Sequence, residues 1–157
     1  MGAILFDTRE AWLQAFDGLL AEARRQLRIL DQDLCGQGWE TPARPSRLRD
    51  FLRTDRTRRV EILLHRSDYL TGHLPLLMRL LRDHPKQMGV RVYEALPDTA
   101  QAYVLGDDRL VLYRHRVDAW TGRLDRQDPA GVAVLSAHFQ ADWSRIAGGL
   151  GYTPLGL

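Results

Sequence analysis

Histidines and carboxylates beside predicted strand ends are the residues of this sequence best suited to acid and base chemistry. Asp31 and Asp33 follow one predicted strand. His65 and His115 follow two others. Ligands of α/β sheets tend to bind outside the carboxyl ends of strands, where imidazole and carboxylate groups can transfer protons. The four residues match no compact metal motif, so we expect neither a metal ion nor another cofactor.

A dense run of arginines, residues 44–59, is the second feature that could bind a ligand. It holds seven arginines and only two acidic residues, although the whole chain has a formal net charge of only +2. A helix over residues 46–53 would place Arg49 and Arg53 on one face, with Arg56 close by. Guanidinium groups bind phosphate in a bidentate manner, so this arginine-rich segment could hold phosphates or nucleic acid. The alternative is a solvated face whose arginines pair with the two nearby carboxylates.

The elements that must position these residues follow from apolar periodicity. Strands are predicted at residues 3–6, 27–30, 60–64, 90–95, 100–106 and 110–114. Helices are predicted from an acidic cap at Asp7, at 46–52, at 74–83, and after a cap at Ser136 that follows an apolar segment at 131–135. In the last helix, apolar residues at 139, 143, 146 and 150 form a stripe suited to docking on a sheet. Interleaved strands and helices predict an α/β or α+β fold, with a mixed β-sheet flanked by helices.

Composition bounds the class of protein. The chain has 157 residues, of which 27% are charged and 45% hydrophobic, which indicates one globular domain over residues 1–157. Cys35 is the only cysteine, so an intramolecular disulfide and a cysteine-based zinc cluster are excluded by counting. The longest apolar stretch, residues 74–81, is too short to cross a bilayer. We therefore expect a cytoplasmic protein with no membrane partner.

Several of these stretches together resemble one half of the phospholipase D-like superfamily. Members of that superfamily carry a His-x-Lys-x-x-x-x-Asp motif on a strand that enters a hairpin. The resemblance rests on a helix end leading into a strand at 23–30, on the strand at 59–64, on the segment 103–109, and on Phe139 and Trp143 in the last helix. It implies the fold of such a half-domain over nearly the whole chain.

The motif itself decides what the resemblance implies about activity. Asp107 matches the family aspartate, which places the family histidine at Ala100 and the family lysine at Ala102. In the family the histidine attacks phosphorus and the lysine neutralises the phosphate oxygens, and a methyl group can do neither. The small polar residues of many members, Gly-Ser-x-Asn, are also absent at 114–117. The resemblance therefore implies a member that is not an enzyme, with Asp107 accepting backbone N–H groups at a turn.

Hairpin geometry predicts what surrounds the emptied positions. With a two-residue turn, Ala102 would lie opposite Tyr113 and Ala100 opposite His115. His115 would then share the sheet face of the emptied positions, and Arg114 would point to the other face. His115 could there offer a hydrogen bond or partial positive charge to an anion, provided that this register holds.

Three functional hypotheses follow. The first is a catalytically inactive phospholipase D-like domain that serves as a binding or assembly module, as a homodimer or with a protein partner. The second is a phosphate- or nucleic-acid-binding protein that uses the arginine-rich segment, and the third is a hydrolase with a non-family site around His65 and His115. The candidate anion-binding residues are His115, His65, Arg49, Arg53 and Arg56, and the candidate pocket residues are Asp31, Asp33, Asp107 and Tyr113.

Overall fold

A computed structural model describes residues 2–92 and 100–146, which form one mixed β-sheet and five helices. In chain order the elements are β1 (Ile4–Phe6), α1 (Arg9–Glu22), β2 (Gln26–Asp31), α2 (Ala43–Thr54), β3 (Arg59–Leu64), α3 (Asp68–His73), α4 (Pro75–Asp83), β4 (Met88–Val92), β5 (Ala102–Gly106), β6 (Leu110–Arg114), β7 (Gly122–Asp125) and α5 (Pro129–Arg145). Within these two ranges, no helix has the length and apolar character needed to cross a bilayer.

The sheet has the strand order β1-β7-β6-β5-β2-β3-β4. Strands β2, β3 and β4 run parallel to one another, and helices connect them. All the other neighbouring strands pair in antiparallel fashion. The predicted mixed sheet with flanking helices is confirmed.

Each face of the sheet carries its own apolar core. Because side chains alternate along a strand, Ile29 and Val104 face the layer that contains α1, α2 and α4. Leu30 and Leu105 face the opposite layer, which contains α5. The larger core includes four aromatic residues of α1, α2 and the loop after β2, namely Trp12, Phe16, Trp39 and Phe51.

The first helix begins one residue later than predicted. Thr8 is the N-cap, and its side-chain oxygen accepts a hydrogen bond from the N–H of Ala11 at 3.2 Å. The apolar periodicity predicted the buried face correctly, since Trp12, Phe16 and Leu19 are all almost completely buried.

The last helix begins seven residues before the predicted cap at Ser136. Asp128 is its N-cap, accepting a hydrogen bond from the N–H of Gly131 at 2.9 Å, and Pro129 occupies the first turn. Residues 131–135 are therefore helical. The apolar stripe is borne out at Phe139 and Trp143, whereas residue 150 lies outside the described residues.

Two other elements differ from the sequence-based expectations. Strand β7 was not predicted, because Leu124 is its only apolar side chain. Its first residue is a glycine for steric reasons, since a Cβ on Gly122 would collide with the carbonyl oxygen of Tyr113. Helix α3 was not predicted either. The predicted strand at 90–95 corresponds to β4, and residues 93–95 lie outside the described residues.

Candidate functional site

The hairpin of β5 and β6 has a register that differs by one residue from the predicted one. Gly106 pairs with Leu110 across a three-residue loop, so Ala102 lies opposite Arg114. Since a one-residue slip moves every side chain to the other face, Arg114 rather than His115 shares the face of Ala102. The predicted placement of His115 beside the emptied positions is therefore wrong.

Asp107 fixes this loop to a distant part of the chain. Its carboxylate accepts hydrogen bonds from the backbone N–H groups of Arg24 at 3.0 Å, Arg25 at 2.8 Å and Gln26 at 3.1 Å. The backbone of Asp107 is in the left-handed region, with φ of 54°, which Asp tolerates better than most residues. The expectation that Asp107 accepts backbone N–H groups is confirmed, but the donors lie at the junction of α1 and β2.

Arg114 fills the space beside Ala102 with a buried, paired guanidinium group. Its Nη2 donates to the Oδ1 of Asp31 at 2.9 Å, and the two side chains are 3% and 4% exposed. The guanidinium also lies over two aromatic rings, at 5.0 Å from the centre of Trp12 and 4.4 Å from that of Trp120. Burial lowers the pKa of Arg114, and the charge of Asp31 opposes this effect. Arg114 is thus held by the protein itself.

Asp31 and Asp33 stabilise the loop that follows β2. The Oδ2 of Asp31 accepts hydrogen bonds from the N–H groups of Leu34 at 2.7 Å and Asp33 at 3.2 Å. The Oδ1 of Asp33 accepts one from the N–H of Cys35 at 3.0 Å. Both oxygens of Asp31 therefore already have protein partners.

The four candidate pocket residues do not lie together. Asp31 ends β2, whereas Asp107 contacts the beginning of that strand, roughly 17 Å away along its length. Tyr113 packs against the core on the α5 side of the sheet, opposite to Asp31 and Arg114. The predicted pocket of Asp31, Asp33, Asp107 and Tyr113 is therefore not formed as a single site.

His65 and His115 lie at the same edge of the sheet but far apart. His65 follows β3 and His115 follows β6, and the strands β2 and β5 lie between them. Three strand spacings separate the two residues by about 14 Å. His65 is buried, while His115 is exposed with its ring against Tyr113. Across residues 2–92 and 100–146, no group of three His, Cys, Asp or Glu residues could hold a metal ion.

Two arginines of the arginine-rich segment pack against aromatic rings of the core. Arg44 is buried, forms an ion pair with Asp17 at 3.3 Å and lies 4.4 Å from the ring centre of Phe16. Burial lowers its pKa, and Asp17 opposes this effect. Arg58 lies 4.8 Å from the ring centre of Phe51 and donates to the carbonyl oxygen of that residue at 3.4 Å.

The other five arginines of the segment are exposed. None of them has a carboxylate within 4 Å among the described residues. The carboxylate of Asp55 instead accepts hydrogen bonds from the N–H and O–H of Thr57, at 2.9 and 2.8 Å. Among the described residues, these guanidinium groups therefore form no ion pair. The five residues are Arg47, Arg49, Arg53, Arg56 and Arg59.

Comparisons with known proteins agree with this fold. A family model described as a domain of unknown function, DUF7931, matches residues 8–148. No curated protein gives a significant match. Several solved structures do match, although their sequence identities are below 20%.

Three of these structures cover almost the whole chain. TrmBL2, an archaeal chromatin protein with a novel mode of DNA binding, has a TM-score of 0.68 at 12% identity, over 93% of this chain and 54% of that one. This chain thus spans about half its length. NucT from Helicobacter pylori has a TM-score of 0.66 at 14% identity, over 94% and 98%. Nuc from Salmonella typhimurium, a phospholipase D family member, has a TM-score of 0.62 at 11% identity, over 93% and 96%. At such identities the matches establish a shared fold.

Proposed function

The chain belongs to the DUF7931 family of domains of unknown function, and we propose that it is a non-catalytic phospholipase D-like domain that acts as a binding module. One observation carries this proposal. Where the resemblance places the histidine and lysine of the family, Ala100 and Ala102 supply only methyl groups, and Arg114 beside them is bound to Asp31.

The Arg114–Asp31 pair also opposes substrate binding at this edge. A phosphate group that took Arg114 as its partner would leave the buried carboxylate of Asp31 uncompensated. Breaking a buried ion pair in this way costs about 3–5 kcal/mol. The alternative of a hydrolase site around His65 and His115 is disfavoured by the separation of about 14 Å between them.

Hydrolysis of bis(p-nitrophenyl) phosphate tests the proposal. We expect no turnover above the buffer rate, and any trace rate should be the same in the His65→Ala and His115→Ala variants. Turnover by the wild type that either variant abolishes would overturn the proposal in favour of the hydrolase. Arg145→Gln, an exposed position on α5, is the control for differences between preparations.

The five exposed arginines favour a second candidate function, nucleic-acid binding. Unpaired guanidinium groups neutralise phosphates and release counterions, which makes affinity strongly dependent on salt. The DNA-binding chromatin protein with a similar fold is consistent with this candidate. The Arg49→Gln/Arg53→Gln double variant should reduce the slope of log affinity against log salt for duplex DNA by about 2, since each phosphate contact contributes about 0.9. Arg145→Gln should keep the wild-type slope, and a flat salt response of the wild type would exclude the candidate.

We also propose that this module acts in the cytoplasm by assembling with a second copy of the chain or with a partner protein. The resemblance implies a half-domain that pairs with a second half, and this chain corresponds to nearly the full length of the Nuc and NucT chains. We therefore expect a homodimer or a complex with a protein partner. Light scattering at micromolar concentration tests the homodimer, and a monomer there would exclude it.

A further inference from the structure

A cleft between the last turns of α1 and α2 contains three arginines. It encloses about 260 Å³, and its polar lining consists of Arg24, Arg47, Arg58, Asp50 and Thr54. Since α1 ends just before β2 begins, the cleft lies near the amino ends of β2 and β3. It is thus at the opposite end of β2 from Asp31, and away from the edge where Ala102 lies beside Arg114.

Arg58 is positioned in this cleft before any ligand binds. Its guanidinium lies over the ring of Phe51 and donates to the carbonyl oxygen of that residue. Its Nε is buried and has no hydrogen-bond partner among the described residues. The ligand would therefore meet the outer nitrogens of this guanidinium, whose orientation Phe51 fixes. Because the guanidinium is already oriented, little side-chain entropy would be lost on binding.

Positive charge exceeds negative charge in the cleft. The side chains of Arg24 and Arg47 are exposed, and neither has a carboxylate within 4 Å among residues 2–92 and 100–146. Asp50 is the one acidic residue in the lining. The carboxyl ends of α1 and α2 each add about half a negative charge. Three guanidinium groups outweigh these contributions by about one positive charge, which suits an anionic ligand.

The rest of the lining is apolar and consists of the exposed Ala21 together with Leu20, Ala23 and Phe51, which are mostly buried in the core. A free inorganic anion would use only the charged part of this lining. A phosphate ester would place its charged group on the arginines and its carbon-bearing group against the apolar wall.

We infer that this cleft binds the phosphate group of a phosphate ester, carried either by a small molecule or by a nucleic-acid strand. Arg58 donates to the phosphate oxygens from its fixed position, and Arg24 and Arg47 close over them from the surface. The inference rests on the proposed function as a binding module, and it assigns that module a site and a ligand chemistry.

Titration with two probes, phenyl phosphate and a 5′-phosphorylated single-stranded oligonucleotide, tests the inference by calorimetry. For at least one probe, Arg47→Gln should weaken binding by about tenfold, the loss of one charge-assisted bidentate contact. Arg47 is exposed, so this variant should fold normally. Arg145→Gln, on the opposite layer, should bind both probes like the wild type.

The two probes separate the two sources of the phosphate group. If the protein binds phenyl phosphate and Arg47→Gln weakens that binding, the ligand is a small-molecule ester. If the protein binds only the oligonucleotide and Arg47→Gln weakens that binding, the ligand is a nucleic-acid strand. If neither probe binds, or if Arg47→Gln binds both like the wild type, the inference is overturned. Phenyl phosphate is a monoester, so this outcome is independent of the phosphodiester assay that tests the proposed function.

Discussion

Arg114 and the exposed arginines of α2 carry the same charge in opposite surroundings. Arg114 is 3% exposed, paired with Asp31 and enclosed by two tryptophan rings. Arg49 and Arg53 project into solvent without a carboxylate partner among the described residues. The difference shows that an arginine contributes to stability where its charge is buried and paired, and is available to a ligand where it is neither.

Removal of Arg114 is the most severe test of this comparison. Arg114→Ala should lower the free energy of unfolding by about 3–5 kcal/mol, because it leaves the buried carboxylate of Asp31 without a counter-charge. Urea unfolding measures the effect. The Arg114→Met/Asp31→Asn double variant should recover most of the loss, since no buried charge remains and the amide oxygen of Asn can still accept from the N–H of Leu34. If Arg114→Ala has the same free energy of unfolding as the wild type, the ion pair between Arg114 and Asp31 does not stabilise the fold.

The carboxylate of Asp107 provides a second, smaller test of the structural region. Asp107→Ala removes the acceptor of three backbone N–H groups and should cost about 1–3 kcal/mol. Amide hydrogen exchange at residues 24–26 should accelerate as well. Asp108→Ala is the matched control, because the side chain of Asp108 is 79% exposed and only forms a surface ion pair with Arg25. Equal losses in both variants would contradict the assigned role of Asp107.

The exposed arginines should behave in the opposite way to Arg114. The Arg49→Gln/Arg53→Gln variant should keep the wild-type free energy of unfolding within about 0.5 kcal/mol, because neither residue is buried or ion-paired. Thermal and urea unfolding measure this directly. A large loss of stability would show that these residues are structural and would remove the basis of the comparison.

The smallest expected effect concerns acid stability at the end of α2. Hydrogen bonds from the N–H and O–H of Thr57 hold the pKa of Asp55 below its ordinary value of 3.8. The resulting stabilisation is present above that ordinary pKa and is lost as the pH falls through the lower folded value. Thr57→Val removes the O–H donor, so Asp55 should titrate at higher pH in this variant. NMR titration of the carboxyl group measures the change, and an unaltered titration would assign the shift to the backbone N–H alone.

Local patterns in the sequence predicted much of the fold. Six of the seven strands in the described residues, and the buried face of α1, follow from short apolar runs or from the spacing of apolar residues. The start of α5 was missed because Asp128 and Pro129 form a capping signal that precedes any apolar stripe. Strand β7 was missed because a single buried leucine carries no periodicity.

The candidate site was less predictable, because it depends on contacts between distant residues. The hairpin register follows from the three-residue loop, and Asp107 within that loop binds N–H groups more than 80 residues away. No spacing within the hairpin reveals those donors. Arg24 lies outside the arginine-rich segment, and only the packing of α1 against α2 brings it to Arg47 and Arg58.

By itself, the sequence determined which side chains are present at each position. It places methyl groups at residues 100 and 102, one cysteine in the chain, and seven arginines in residues 44–59. Only the tertiary structure decided which arginines are buried and which remain free. Arg114 meets Asp31 across 83 residues, and Arg44 meets Asp17 on another helix. The physical reason is that the cost of burying a charge depends on the partner beside it, and here the chain supplies that partner from a distant segment.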